Sequence, residues 1–131
     1  MMPELCDCHV EVARLHQFFE DWFIGKLNAE DFSQCEEALA PGFTIVTPGG
    51  ELIERSEILE AIRRHGGGEP PEFRINTVGR SCQRVRGVHI STYEEHQTGT
   101  RSTVRLSTAV IGEADGTLRW HSVHETWLTT Q

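Results

Sequence analysis

The sequence predicts an α+β fold in which N-terminal helices pack on the concave face of a curved antiparallel sheet. Two observations carry this expectation. Apolar residues recur every three or four positions as far as Leu39, and every second position after Pro71. The segments of period two are joined by links too short for a crossover, so sequential neighbours must run antiparallel.

The first helix is expected over 4–27. Leu5, Cys8, Val12, Leu15, Phe19, Trp22, Phe23 and Leu27 form one stripe, and Gly25 loosens the last turn. Asn28 is a candidate N-cap for a second helix, with Glu30 and Asp31 where the helix dipole favours anions. Ala40-Pro41-Gly42 is expected to stop it. The β-branched run Phe43–Thr47 reads as a strand, Pro48-Gly49-Gly50 as a turn, and Glu51-Leu52-Ile53 as its short partner. Ser56 is a candidate N-cap for a third helix from Glu57 to His65. The run Gly66–Pro71 reads as a mobile loop.

Four long strands are expected over Phe73–Val85, Val88–Gln97, Thr103–Ile111 and Leu118–Leu128. Strands of that length in a small domain must coil. Apolar residues occur on both alternating faces, so both faces of the sheet are expected to be covered, one by the helices and the other by a second copy of the chain.

The 131 residues are expected to form one domain, residues 1–131, long enough to bury its own core. A net charge of -8 argues against nucleic acid and anionic membranes as partners. No apolar run is long enough to span a bilayer, and the first residues lack a basic segment followed by an apolar one. The chain is therefore read as cytoplasmic, with its four cysteines reduced and in no disulfide framework. Cys6-x-Cys8-His9 is too closely spaced for a zinc pair. On a helix, Cys6 and Cys8 would point about 200° apart. No metal and no cofactor are expected. The glycine run 66–68 lacks the lysine and the strand-to-helix setting of a phosphate loop, and His124-Glu125-Thr126-Trp127 lacks the second histidine of a zinc-protease motif.

The order of elements, with Phe18–Phe23 on the first helix, Leu39–Gly50 through the hairpin, Ile58–Ile62 on the third helix and Val123–Trp127 on the last strand, resembles the nuclear transport factor 2-like superfamily. Within it the chain looks like the SnoaL-like group. The resemblance implies a cone-shaped, cystatin-like roll with a pocket between helix and sheet, and a homodimer joined through the outer sheet face. The superfamily includes isomerases, dehydratases, cyclases, hydrolases and non-enzymatic scaffolds, so fold does not set function. Steroid isomerases of this type place a basic carboxylate before the proline and glycine of the hairpin. Thr47 stands there in this chain, and a hydroxyl does not replace a carboxylate base at neutral pH.

Phe19, Trp22 and Phe23 are candidates for an apolar pocket wall, although aromatics at helical spacing are more often simply core. On the sheet, Glu94, Arg105 and His124 are candidates for an inward acid–base set, with arginine orienting a carboxylate or carbonyl. The competing arrangement is a cross-strand ladder of ion pairs on a solvated or dimer face, because a one-residue change of register exchanges the faces. The function expected is binding of a small apolar or carboxylate-bearing molecule, with catalysis open but not by the steroid-isomerase carboxylate. The alternative is a non-catalytic homodimeric interaction module.

Overall fold

The computed structural model describes residues 7–99 and 101–128. Helix α1 spans Asp7–Phe23, and the first residues expected in it lie outside the described ones. It stops before Leu27 because Gly25 adopts φ +82, with Gly25 N–H donating to Trp22 O (3.1 Å) and Lys26 N–H to Asp21 O (2.9 Å). That pair of bonds is a Schellman cap, which needs a left-handed residue. A 3-10 turn, Ala29–Phe32, follows, with Asn28 as its cap, and leads into α2, Ser33–Ala38.

Strand β1, Leu39–Val46, begins where the sequence suggested a helix stop. Pro41 and Gly42 fall in the irregular stretch between Leu39 and Thr44, where pairing to the next strand is interrupted, so the missing proline N–H costs no ladder bond. β1 pairs antiparallel with β2, Leu52–Glu54. Helix α3, Arg55–Arg64, is capped by Glu54 rather than Ser56, and Glu54 N–H reaches the Glu57 carboxylate at 3.4 Å.

The long strands are β3 (Arg74–Val85), β4 (Val88–Thr98), β5 (Thr103–Ala114) and β6 (Thr117–Trp127). The sheet order is β2-β1-β6-β5-β4-β3. Consecutive long strands are antiparallel, as their short links require, whereas β1 joins β6 in parallel. Among the described residues, no helix is long and apolar enough to cross a membrane.

α1 lies in the hollow of the sheet, and polar groups fix its position as well as apolar ones. Val12, Leu15, Phe18 and Trp22 enter a core with Phe32, Tyr93, Ile111 and Trp120. Glu11 accepts hydrogen bonds from Arg14 (2.8 and 2.7 Å) and from Trp120 Nε1 (2.9 Å). Glu20 accepts the backbone N–H of Ile75 at 2.8 Å, which satisfies a donor on the edge strand.

Residues 66–69 are tied down rather than loose. Gly67 N–H donates to Trp22 O at 3.1 Å and Glu69 N–H to Phe23 O at 2.9 Å, so the segment seals the end of α1. A Cβ on Gly66 would lie 2.9 Å from the Trp22 ring, whose Nε1 is held by Ile62 O at 2.8 Å. Gly66→Ala is expected to destabilise the fold by about 1–3 kcal/mol through overpacking. Urea denaturation checks this: an unchanged midpoint would mean that the ring yields freely.

The cysteines depart from expectation. Cys8 and Cys82 are joined as a disulfide, because α1 crosses β3 with these residues face to face, Cα atoms 6.9 Å apart. Cys35 is free and buried.

Candidate functional site

Between α1, α3, the β1 hairpin and the sheet lies a cavity of about 290 Å³. Phe19, Phe23, Leu39, Phe43, Ile45, Ile58, Ile62 and Val123 make its apolar walls. Its charged and titratable lining consists of His16, Tyr93, Glu95, Arg105 and Glu125.

These groups come together through register. Glu95 on β4 sits directly opposite Arg105 on β5, and Arg105 lies one inward position along from Ser107, the partner of Glu125 on β6. All three therefore face α1. From the helix, His16 lies against Tyr93 (5.3 Å between ring centres) and Phe19 (5.4 Å).

His16 Nδ1 donates to Val12 O at 2.8 Å, which leaves Nε2 facing Glu95 Oε1 at 3.2 Å. Gln97 donates to the other Glu95 oxygen at 2.7 Å. Arg105 donates to Glu125 Oε1 at 3.2 Å and stacks on the Trp127 ring, 4.8 Å from its centre. Its Nε is buried without a hydrogen-bond partner.

Burial, the largest single influence, would raise the carboxyl of Glu95, but His16, by charge and by hydrogen bond, together with Arg105 and Gln97 outweighs it and holds the carboxyl down at about 2. Burial likewise pulls His16 down, and Glu95, with the Val12 carbonyl and the charge of Glu125, more than reverses this, so the imidazole titrates above its ordinary value. Glu125 goes the other way. Burial, only partly offset by Arg105 and reinforced by the charge of Glu95, raises its carboxyl. Burial first, then Glu95, raises the Tyr93 phenol well above its usual range. The site thus holds an ion pair, Glu95 with His16, beside a second carboxyl, Glu125, whose affinity for a proton burial raises.

Of the residues singled out from sequence, Phe19, Phe23, Thr47 and Arg105 line the cavity. Thr47 stands beside Pro48, and its hydroxyl accepts the Glu51 N–H at 3.1 Å. Trp22 does not line it; the ring is buried against Phe18 and Phe32 behind the wall. Glu94 and His124 lie on the opposite face of the sheet, where Glu94 pairs with Arg80 and with His96 at 2.9 Å. The inward carboxylates are their neighbours, Glu95 and Glu125.

A bulge explains the His124 reversal. Val110 pairs with Ser122 and Ile111 with Trp120, so His121 is an extra residue on β6. Trp120 and Val123 consequently both point inward, which sends His124 out and Glu125 in. His16 was missed, although a polar residue between Leu15 and Phe19 on an otherwise apolar stripe is the signal that marks it.

Solved structures share this architecture. An NTF-2 like protein of unknown function from Pseudomonas aeruginosa is 28% identical, covers 95% of this chain and 100% of its own, and superposes with a TM-score of 0.88. An NTF2-like protein from Cytophaga hutchinsonii is 10% identical over 95% of this chain and 100% of its own, with a TM-score of 0.67. A candidate dehydratase of the NTF2-like family from Streptomyces avermitilis is 14% identical over 92% and 94%, with a TM-score of 0.69. No family sequence model and no curated protein matches the chain. A helix held in the hollow of a six-stranded curved sheet, with a pocket between them, defines an α+β cone of the cystatin-like type. The chain belongs to the nuclear transport factor 2-like superfamily.

Proposed function

We infer that the chain binds a small, mostly apolar molecule carrying one oxygen-bearing polar group, and that the cone presents this group to Glu125 and Arg105. The observation that carries the reading is the cavity itself. At about 290 Å³ it lies at the small end of ligand sites, and its walls are apolar except where Glu95, His16, Arg105 and Glu125 converge. Arg105, with Nε unpartnered, is suited to a carbonyl or carboxylate oxygen. Glu125, with its raised carboxyl, is suited to passing a proton to or from that ligand. Proton transfer of isomerase or dehydratase type would then run through the sheet and not through Thr47. The dehydratase name of the Streptomyces relative agrees in kind, and we propose the SnoaL-like group as the finer placement on the sequence resemblance alone.

Native mass spectrometry of the protein purified from its own host tests the reading, together with thermal shifts against small ketones and carboxylic acids. The expected result is a retained small molecule, or a stabilising compound whose effect disappears in Arg105→Met and Glu125→Gln while the unliganded variants stay folded. At a hundredfold excess over Kd a true ligand adds about 2.7 kcal/mol. Equal shifts in parent and variants would exclude this site.

A second reading, a homodimeric module, is favoured by the outer face. There β4 and β5 present Ile90, Leu106 and Val110 half-buried, with Val88 37% exposed. Such a face suits a second copy of the chain. Light scattering on Leu106→Glu tests it: dimer in the parent and monomer in the variant is the expected pair of results.

A further inference from the structure

A second cluster of chemistry-bearing side chains lies away from the cone. Cys8 on α1, Cys82 on β3 and His89 on β4 each bring a ligand atom within 4.8 Å of the others. None of them lines the cavity. The placement follows from the sheet. Cys82 pairs with Ser91, two positions from His89 on the face that α1 crosses, and Cys8 is fully buried there.

His89 is the observation that calls for a ligand. Its side chain is 2% exposed, and neither ring nitrogen has a hydrogen-bond partner. The Glu113 carboxylate lies 3.5 Å from Nε2 and is already engaged by Arg84 at 2.9 Å. A buried imidazole without a hydrogen bond costs free energy that coordination would recover.

We propose that, in its dithiol form, this cluster is a binding site for Zn²⁺ or a similarly soft metal ion, held by Cys8, Cys82 and His89. Two thiolates and an imidazole are the donor set such ions prefer. Metal–sulfur and metal–nitrogen bonds of about 2.3 and 2.0–2.1 Å place tetrahedral donors roughly 3.3–3.8 Å apart. With the three donors within 4.8 Å of one another, the imidazole nitrogen needs only a small approach, while the two sulfurs, bonded to each other in the disulfide, move apart to the tetrahedral spacing once reduced. The chemistry makes ion and disulfide mutually exclusive. A dithiol reductant passes two electrons and two protons to the Cys8–Cys82 bond and becomes a disulfide itself. The two thiols then each release a proton as a sulfur–metal bond forms. Cys35 stays outside this chemistry, because burial foremost pushes its thiol up to about 12.

The test is a Co²⁺ titration of the full chain, reduced, freed of reductant and kept from oxygen. The expected result is one Co²⁺ per chain with thiolate-to-cobalt charge-transfer absorption and tetrahedral d–d bands, all displaced by Zn²⁺. The same chain oxidised to the disulfide should give none. Cys82→Ser and His89→Gln should each weaken binding by more than the roughly 10- to 100-fold that loss of an outer-sphere partner brings. Cys35→Ser should bind as the parent does. Absence of thiolate bands in the reduced parent would overturn the proposal. So would equal bands in the oxidised chain, or parental affinity in a folded His89→Gln. Should either variant fail to fold, the reduced and oxidised titrations of the parent decide alone.

Discussion

Glu95→Ala is expected to destabilise the protein by about 3–5 kcal/mol, the usual cost of removing one partner from a buried ion pair. Glu95 is 5% exposed and His16 also 5%, so water cannot replace the lost contact. Against a typical total of roughly 5–15 kcal/mol, that is enough to leave the chain marginal. The pair also sets a pH profile. Glu95 titrates at about 2 in the fold against an ordinary 4.5, so its contribution is complete above 4.5 and fades as pH falls towards 2. His16 titrates above its ordinary 6.5, so its contribution is complete below 6.5 and is lost as pH rises through the higher, folded value. The ion pair is worth most between these limits. Denaturant unfolding across pH should show the parent's excess stability over Glu95→Gln concentrated in that window. A constant difference at every pH would mean that the two groups do not titrate as a pair.

Trp120→Ala should cost a similar amount, about 3–5 kcal/mol, from cavity formation alone. The ring is 2% exposed and lies in the central core cluster. It also donates to Glu11, whose only other side-chain donor among the described residues is Arg14. Trp120→Phe separates the two effects. It keeps most of the volume and removes the donor, with an expected cost of about 1–3 kcal/mol. Should Trp120→Phe unfold at the same denaturant concentration as the parent, the Glu11 bond contributes nothing to anchoring α1 on the sheet.

The helix-on-sheet architecture was legible because the period of the apolar residues changes from helical to alternating and the meander links are short. The site was less so. On β4 the inward row is His89, Ser91, Tyr93 and Glu95, while Val88, Ile90 and Thr92 face outward. Hydrophobicity therefore points to the wrong face, because the concave side is where polar groups are held. On β6 a single bulged residue, His121, reverses the alternation, and sequence spacing has no term for it. The approach of Cys8 to Cys82 and the parallel pairing of β1 with β6 are long-range facts that local pattern does not carry.

That parallel pairing has a consequence for biosynthesis. Ile45 finds its neighbour in Val123, and both line the cavity. On the ribosome, β1 is made well before β6, and its edge facing β6 stays unpaired until Thr117–Trp127 has emerged. Contacts this distant in sequence slow folding. The cone has no closed wall before β6 arrives, so a ligand of the kind proposed above would act only on a chain that already includes β6.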